Sequence, residues 1–310
     1  MPSLSLDTSN VDLSIVIPTL NGREQLIDTL DAIAEHAPAA EVIVVNGPSA
    51  DGTSGMVQNR TDVDVLIEVS ERTLNVARNA GIIEATGEAI AVLQYDLTIE
   101  STWVDAIISG LSRAAVVTGP VHQMLAAGMT TTACEQTNIG AKTVTYFNGG
   151  NVAFTASTLE NIDGFDEYLK TGGARDAAHR LAAASERVAW EPEMCVQTEY
   201  ETDGGIKQQD TDWKYRSLTY RLVKNYGIRP TVVRRILTHI GADAVDAARD
   251  VLADNRALST YLSVERDAAT GAIAGVVTGL QARFADRSTT RNPHGCSARA
   301  DRAVSRHDWR

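Results

Sequence analysis

The sequence predicts an α/β fold with a mainly parallel sheet and a helical C-terminal extension. Apolar runs at 13–20 and 41–45 are each followed by a polar loop and then by residues with helical spacing. Two further strands are predicted at 62–69 and 88–93, with a helix at 75–86 between them. Strands that alternate with helices in this way pair in parallel and are covered on both faces. In such sheets, ligands bind beyond the carboxyl ends of the strands.

The pattern changes twice along the rest of the chain. Shorter strands near Ala115 and Val152 and a helix at 177–184 continue the first domain. Residues 206–286 are predicted to be helical, because their apolar residues recur at helical spacing. The segment 287–310 has few apolar residues and an excess of Arg over Asp, which predicts a disordered tail.

Composition and charge exclude one class of partner. The 310 residues are 44% apolar, enough to bury a substantial core, and 40 acidic against 28 basic residues give a net charge of -12. This negative charge argues against free nucleic acid as a partner. Because only five of the basic residues are lysines, the composition also resembles that of proteins from salt-loving archaea, in which salt screens an acidic surface.

Neither a membrane span nor a cysteine framework is predicted. Cys134, Cys195 and Cys296 lie far apart with no CxxC spacing, which indicates neither disulfides nor a zinc site and favours the cytosol. The apolar run at 271–280 is far shorter than the ~20 residues that a membrane span needs. No GxGxxG, GxxxxGK(S/T) or HExxH pattern occurs, which removes the commonest dinucleotide, P-loop and zinc-protease interpretations.

Four segments, taken together, resemble the inverting family 2 glycosyltransferases with the GT-A fold. They are SIVIPTLNG (14–22), EVIVVNGPSADGT (41–53), ARNAGIIEATGE (77–88) and GGNVAFTASTLENIDGFDE (149–167). Each segment alone is a weak signal, and their order and spacing carry the resemblance. It implies a Rossmann-like GT-A domain over residues 1–205, with a nucleotide half at about 11–113 and an acceptor half at about 114–205.

The resemblance implies transfer of a hexose or hexuronic acid from a UDP- or GDP-linked donor to a hydroxyl group, with inversion and with Mg²⁺ or Mn²⁺ as cofactor. A divalent cation held by carboxylate oxygen neutralises the leaving diphosphate, and a second carboxylate takes the proton of the acceptor hydroxyl. The resemblance to family 2 enzymes with such a helical extension implies a lipid-linked or surface glycan as acceptor, as in assembly of a dolichol-linked N-glycan or a surface-layer glycoprotein. The expected location is the cytoplasm or the inner face of the cell membrane.

Asp96 is the candidate metal ligand. In the family the fourth strand ends in Asp-x-Asp, and the matching residues here are Gln94, Tyr95 and Asp96, so an amide replaces the first carboxylate. Metal binding is expected to be weaker than usual, because one of the two negative charges is gone. The alternative is a strand-to-loop Asp that caps its own backbone.

The candidate nucleotide contacts lie at the ends of the first two predicted strands or on the helix before the fourth. They are Pro18, Thr19, Asn21, Asn46, Asp51, Arg78 and Asn79. Compared with the family, the loop at 46–53 lacks an acidic residue that usually contacts the base. The amide of Asn46 is still able to hydrogen-bond a nucleobase edge, so uridine and guanosine both stay open. The alternatives are a turn set by Pro18, a helix cap at Asp51, which is favoured over ligand contact, and a solvated helix face at Arg78 and Asn79.

The acceptor half departs most from the family. The family motif Gly-Glu-Asp-x-Asp-Leu-x-x-Arg-Leu matches residues 172–181 and puts Ala174 at the position of the usual base. Three explanations compete: Asp176 is the base after a shift of the preceding loop, His179 is the base, or the chain has no base and only binds its ligand.

Five more residues are candidates for substrate binding. Arg175 and Arg180 are suited to a phosphate or carboxylate of the substrate, although exposed arginines are commonly just solvated. Gly149, Gly150 and Asn151 would let the backbone approach the sugar closely, and a tight turn before a strand is the alternative.

The segment 212–237 concentrates basic and aromatic residues within an acidic protein, among them Trp213, Tyr215, Tyr220 and Tyr226. It predicts a surface for anionic lipid headgroups or a polyprenyl phosphate acceptor, or else a helix packed on the main domain. A rival function from another class is a catalytically silent sugar- or nucleotide-binding scaffold of a glycan assembly complex. A nucleotidyltransferase is disfavoured, because no glycine-rich Arg/Lys signature follows the first strand.

Overall fold

The computed structural model describes residues 12–123, 133–198, 211–252 and 258–310. The strands are β1 (Leu13–Thr19), β2 (Glu41–Asn46), β3 (Val65–Val69), β4 (Ala89–Leu93), β5 (Thr98–Ile99), β6 (Val116–Thr118), β7 (Val121–Gln123), β8 (Gln136–Ile139), β9 (Lys142–Thr145), β10 (Asn151–Thr155), β11 (Val188–Trp190), β12 (Val196–Thr198) and β13 (Ala303–Asp308). The helices are α1 (Arg23–His36), α2 (Thr53–Gln58), α3 (Leu74–Glu84), α4 (Trp103–Leu111), α5 (Ala156–Asn161), α6 (Gly173–Ala184), α7 (Thr211–Tyr226), α8 (Pro230–Leu252) and α9 (Leu258–Ala285), with a 3-10 turn at Cys296–Ala298.

The central sheet has eight strands in the order β11-β6-β10-β4-β1-β2-β3-β13. β1 pairs in parallel with β2 and β4, and β2 pairs in parallel with β3. β10 runs antiparallel between β4 and β6. The predicted α/β fold with a mainly parallel sheet is confirmed.

The central strands are continuous apolar runs because helices cover both of their faces. All residues of β1 and β4 are buried. On one face, Leu26 and Leu30 of α1 share a core cluster with Ile15. On the other face, Gly81 of α3 lies against Val16.

The C-terminal residues correct one prediction. The segment 287–310 was expected to be disordered, yet β13 pairs antiparallel with β3 at the edge of the central sheet. The composition misled because an edge strand completes its hydrogen bonds with its neighbour and needs no apolar pattern of its own. Polar tertiary contacts also hold this segment: Arg302 donates to the carboxylate of Glu167 and to the carbonyl oxygen of Gly295.

The chain divides into two compact units. The first contains the residues before Asn138 and the segments Val144–Gly204 and His294–Arg310, and the second contains Asn138–Thr143 and Gly205–Pro293. The first unit therefore includes the end of the chain, which the sequence assigns to a separate tail.

In the second unit, α7 and α9 pack with their backbones unusually close together. Gly271, Gly275 and Gly279 of α9 lie on α7, and a Cβ atom at Gly275 would lie 2.5 Å from the carbonyl oxygen of Arg216. The apolar run at 271–280 is thus a helix-packing surface.

Two aromatic residues of α7 are also buried. Tyr215 and Tyr220 are 2% and 1% exposed, and the hydroxyl of Tyr215 donates to the carboxylate of Asp243 on α8 at 2.5 Å. These two side chains are therefore not available to a membrane surface. In the described part of the chain, no helix combines the length and the apolar character that crossing a membrane requires.

Candidate functional site

A cleft of about 250 Å³ lies beyond the carboxyl ends of β1, β2 and β3. Its lining includes Pro18, Thr19, Gly47, Glu71, Arg72 and Tyr95. The position agrees with the general rule for ligand sites in parallel sheets. Two of the predicted nucleotide contacts, Pro18 and Thr19, therefore meet at one cavity.

Thr19 has an unused polar atom at this cleft. The residue is 4% exposed, and its Oγ1 atom is buried without a hydrogen-bond partner among the described residues. A buried hydroxyl without a partner costs free energy, which a polar ligand atom in the cleft would recover.

Asn21 and Asn46 organise the loops at the sheet edge. The Oδ1 atom of Asn21 accepts a hydrogen bond from the backbone amide of Ala50 at 2.8 Å. The backbone amide of Asn21 donates to the hydroxyl of Ser49 at 2.8 Å. The carboxamide of Asn46, which is 1% exposed, accepts from Ser49 at 2.7 Å and donates to Ser54 at 2.8 Å. The expected contact of Asn46 with a base is not supported by this geometry, because its amide is buried and engaged within its own loop.

Asp51 lies just before α2, whose N-cap residue is Gly52, and supports the start of this helix. Its carboxylate accepts from the amide of Thr53 at 3.1 Å and from the amide of Arg23 at 3.0 Å, which ties the β2 loop to the start of α1. Desolvation raises the pKa of Asp51, but hydrogen bonds from Thr53 and Arg23 outweigh it and hold the pKa below its usual value. Asp51 therefore supports the wall of the cleft as a carboxylate.

Glu71 and Arg72 also line the cleft, and neither is among the site residues predicted from the sequence. Both follow β3, so the rule that predicted the loops after β1 and β2 also points to them. Glu71 is paired with Arg299 at 2.7 Å, so the C-terminal segment contributes to this wall. Arg299 was not predictable, because only the tertiary structure brings the chain end here.

Asp96 follows β4 next to Gln94. The Nε2 atom of Gln94 donates to Oδ1 of Asp96 at 2.6 Å. Among the described residues, no cluster of three His, Cys, Asp or Glu ligand atoms includes Asp96. The donor set fits a hard divalent cation only in part: it offers one carboxylate and one amide oxygen, so a ligand must supply most of the coordination.

Gly149 and Gly150 let the chain pass close to the end of β4. A Cβ atom at Gly150 would lie 2.9 Å from Oε1 of Gln94, and one at Gly149 would lie 2.9 Å from Cβ of Ala174 and 3.0 Å from Nη2 of Arg78. The tight backbone turn thus brings Gln94, Arg78 and Ala174 close together.

Asn151 is a structural residue. It is fully buried; its Oδ1 accepts from the indole of Trp103 at 2.9 Å, and its Nδ2 donates to the carbonyl of Met194 at 2.9 Å. The predicted role in substrate binding is not supported, because this side chain has no exposed surface.

Arg78 is a buried cation with little compensation. It is 6% exposed, donates to the carbonyl of Gly149 at 2.6 Å, and lies over the ring of Phe165 at 4.9 Å. Among the described residues, no carboxylate pairs with it, and its Nε atom has no partner. Desolvation lowers the pKa of Arg78 to about 10, so the side chain is still charged at neutral pH.

Asn79, the neighbouring candidate, is fully engaged. Its Nδ2 donates to the carbonyl of Phe165 and to the carboxylate of Glu167, both at 2.8 Å, and its Oδ1 accepts from the amide of Phe165 at 2.8 Å. It holds the segment after α5 against α3 and has no exposed surface for a nucleotide.

Asp176 and Arg180 form an ion pair within α6. The Nε atom of Arg180 lies 2.9 Å from Oδ2 of Asp176, and both side chains are fully buried. Arg180 also donates to the carbonyl of Gly164 at 2.8 Å. As placed here, Asp176 is not exposed to an acceptor and Arg180 is not exposed to a substrate, so both predicted roles conflict with the geometry.

The other two candidates on α6, His179 and Arg175, are also engaged by other side chains of the protein. His179 is 2% exposed and meets the ring of Tyr146 edge to face at 5.6 Å. Arg175 stacks on Tyr146 at 4.5 Å and pairs with Glu135 at 2.8 Å. Asp176 is the one carboxylate of α6. Gly173 and Ala174 stand where the matching motif has Glu and Asp.

Comparison with known proteins finds a family match for one segment of the chain. Residues 14–133 match the family described as glycosyl transferase family 2. The pre-mycofactocin glycosyltransferase of Mycobacterium tuberculosis is 25% identical over 231 residues, which cover 68% of this chain and 46% of that protein. Glycosyltransferase AglE of Haloferax volcanii is 26% identical over 202 residues, which cover 58% of this chain and 66% of AglE. The chain thus spans about half the length of the mycobacterial relative.

Solved structures share the fold. The mannosyltransferase PcManGT from Pyrobaculum calidifontis, in complex with GDP-Man and Mn²⁺, matches with a TM-score of 0.54 and 16% identity over 93% of this chain and 92% of that one. S. aureus TarS 1-349 in complex with UDP-GlcNAc matches with a TM-score of 0.57 and 14% identity over 89% and 91% of the two chains. At these identities, the likeness concerns the fold.

Proposed function

Because this chain carries a family 2 glycosyltransferase domain with the GT-A fold, we propose that it transfers a sugar from a nucleotide diphosphate donor to a hydroxyl group of a glycan, with inversion. The observation that carries the proposal is the cleft beyond β1, β2 and β3, where Thr19 keeps an unpartnered hydroxyl. The sugar is a hexose or hexuronic acid, and the acceptor is a lipid-linked or surface glycan.

The nucleoside part of the donor would occupy the cleft. A cavity of about 250 Å³ is smaller than the usual range for whole ligands, so the diphosphate and the sugar extend beyond it. The fold neighbours bind UDP-GlcNAc and GDP-Man, which supports a UDP- or GDP-linked donor. Arg72 at the rim and the buried cation Arg78 supply positive charge for the phosphates.

Asp96, with Gln94 beside it, would hold Mg²⁺ or Mn²⁺. When bound there, the cation would neutralise negative charge on the departing nucleoside diphosphate. With one carboxylate in the site, the affinity for metal depends on phosphate oxygens of the donor. The complex of a fold neighbour with GDP-Man and Mn²⁺ supports such joint binding.

The proposed transfer also requires a base that takes the proton of the acceptor hydroxyl. Asp176 and His179 stay predictions for this role, and both are buried as described above. Asp176 would have to leave its ion pair with Arg180 before it could accept a proton from an acceptor.

A second candidate function follows from this burial. With Ala174 at the usual base position and Asp176 in an internal ion pair, the domain is suited to a scaffold that binds a nucleotide sugar without transferring it. Such a scaffold keeps the donor cleft and lacks turnover.

Titration calorimetry with UDP- and GDP-sugars, with and without Mn²⁺, tests the donor site. We expect binding that strengthens with Mn²⁺, and Asp96→Asn is expected to weaken it by about tenfold or more. The exposed Asp105→Asn on α4 serves as the matched control and leaves binding unchanged. Absence of binding to any nucleotide sugar at millimolar concentration contradicts both candidate functions.

Turnover separates the two candidates. Donor hydrolysis and transfer to a lipid extract are measured with the same nucleotide sugar that binds. Release of the nucleoside diphosphate by the wild-type chain establishes the transferase. Binding without release, under conditions where a known transferase is active, establishes the scaffold.

We also propose that α8 presents the surface for a polyprenyl phosphate or anionic lipid. A groove of about 660 Å³ in the second unit is lined by Ile228, Val233 and Leu237, which are 60%, 42% and 62% exposed, together with Arg229 and Arg234. Apolar side chains flanked by arginines suit a membrane interface. Co-sedimentation with anionic vesicles tests this surface; Leu237→Glu is expected to reduce it, and equal binding by the variant contradicts the proposal.

A further inference from the structure

Three strands outside the donor site bring together a carboxylate, an imidazole and a thiol. Ligand atoms of Glu100, His122 and Cys195 all lie within 4.8 Å of one another. The residues are 22 and 73 positions apart along the chain, so no spacing motif announces them. They belong to the first unit and come from the small sheet β5-β12-β7 or its margin.

The pairing of this sheet explains the convergence. In the antiparallel pair of β12 and β5, Val196 lies opposite Ile99, and the amide of Glu100 donates to the carbonyl of Cys195 at 3.3 Å. In the parallel pair of β12 and β7, Gln197 lies beside His122. Because successive side chains alternate between faces, Ile99 and Val196 enter the core while Glu100 and Cys195 share the opposite face.

The side chains are partly exposed and already partly oriented. Oε1 of Glu100 accepts from the amide of Gln197 at 2.8 Å, and the thiol of Cys195 donates to the carbonyl of Pro192 at 2.9 Å. For the ring of His122, the described structure shows no hydrogen bond. A carboxylate held by a neighbouring amide is the usual arrangement around a metal ligand.

We propose that Glu100, His122 and Cys195 form a three-ligand binding site for Zn²⁺, with a fourth position open to water or to a substrate group. Thiolate, imidazole and carboxylate together select a borderline-soft cation such as Zn²⁺ over the hard cations Mg²⁺ and Mn²⁺. Tetrahedral zinc needs ligand atoms separated by roughly 3.3–3.8 Å. Side-chain movements of about 1 Å would bring the three ligand atoms within this distance of one another. It is separate in its ligands from the site at Asp96.

Cobalt titration of the reduced full chain tests the proposal, since Co²⁺ bound to a thiolate gives a charge-transfer absorption that oxygen ligands do not give. We expect one Co²⁺ per chain with this absorption, displaced by one equivalent of Zn²⁺. Cys195→Ser is expected to abolish the absorption, and His122→Asn and Glu100→Gln to weaken Zn²⁺ binding by about tenfold or more. Gln197→Ala, which removes only the orienting amide, is expected to weaken it by roughly tenfold.

Three controls make the outcome decisive. Cys134→Ser and Cys296→Ser remove the other thiols and leave the absorption unchanged. Asp96→Asn also leaves it unchanged, so failure of this site and failure of the proposed donor site are distinguished. Circular dichroism of each metal-free variant confirms that it is folded. Absence of the absorption in the wild-type chain, or its persistence in Cys195→Ser, overturns the proposal.

Discussion

Asp176 and Arg180 show how burial decides the role of a charged residue. A charge removed from water is tolerated only when it is paired or hydrogen-bonded, and here the two opposite charges pair inside the protein. The residue types at both positions are explained by this pair without a catalytic role. A base must instead have a path to the acceptor.

Asp176→Asn is therefore expected to lower the free energy of unfolding by about 3–5 kcal/mol, because it leaves the guanidinium of Arg180 buried without a counter-charge. Urea unfolding followed by circular dichroism measures the change. Glu135→Gln is the matched control: it breaks the exposed pair with Arg175, and the expected loss is about 1 kcal/mol or less.

The same variant distinguishes a structural role from a catalytic one. If Asp176→Asn unfolds at the same urea concentration as the wild-type chain and loses only transfer activity, Asp176 is the base and the ion-pair explanation is wrong. Equal losses of stability in Asp176→Asn and Glu135→Gln would also contradict it.

Three asparagines show what the sequence does not predict about single residues. Asn46, Asn79 and Asn151 were correctly placed at strand ends or motif positions, yet each carboxamide is engaged by the protein itself. A sequence shows that an amide is able to bind a ligand, but the positions of its partners depend on distant segments. For Asn79 the partners are more than 80 residues away.

At the scale of elements, glycines set the distance between α7 and α9. Gly275→Ala is expected to lower the free energy of unfolding by roughly 1–3 kcal/mol, because the new Cβ atom meets the carbonyl oxygen of Arg216. The same substitution at Gly241 of α8, where the described structure places nothing within 4 Å, is expected to be neutral or stabilising by up to about 1 kcal/mol. Thermal unfolding of both variants checks this pair, and equal effects would contradict the close packing.

The edge strand β13 is held by charged contacts. Arg310 pairs with Glu41 at 2.8 Å, with Glu84 at 2.9 Å and with Asp308 at 2.7 Å. The sequence shows the arginine but not its distant partners Glu41 and Glu84, which come from β2 and α3. An apolar pattern was therefore not needed for this strand, and none was found.

Arg310→Ala is expected to loosen β13, with faster amide exchange at 303–308 and a loss of stability of about 1 kcal/mol or less. Hydrogen exchange followed by mass spectrometry measures the exchange. Arg287→Ala serves as the control, since Arg287 forms no ion pair in the described structure. Unchanged exchange in Arg310→Ala would show that backbone pairing alone holds the strand.

Acid is expected to abolish the contribution of Arg310. Its hydrogen bond lowers the pKa of Asp308 to about 2, and for Glu41, hydrogen bonds including that of Arg310 outweigh desolvation and lower the pKa below 4.5. A carboxyl group with a lowered pKa contributes stability above its unfolded pKa and loses it as the pH falls through the folded value. The difference in exchange between wild type and Arg310→Ala should thus be full at pH 6 and shrink between about pH 4.5 and 2. A difference that grows on acidification would contradict this assignment.

At the scale of the whole molecule, a net charge of -12 opposes the folded state through self-repulsion. Salt shortens the Debye length from about 10 Å at 0.1 M to about 3 Å at 1 M. The urea midpoint of unfolding is therefore expected to rise between about 0.1 and 1 M KCl. Sorbitol at equal osmolality is the control and should give a smaller rise. A midpoint that is flat or falls with KCl would contradict the proposal of a salt-adapted protein.

The sequence by itself determined the α/β fold, because buried parallel strands must be continuous apolar runs with helices between them. It also placed Pro18, Thr19 and Asp96 at the carboxyl-end edge of the sheet, since their positions depend only on where strands end. Tertiary structure alone decided that the ion pair of Asp176 and Arg180 is buried, that Arg299 reaches Glu71, and that Glu100, His122 and Cys195 meet. These outcomes depend on contacts between residues far apart in the chain, and periodicity and local spacing carry no record of such contacts.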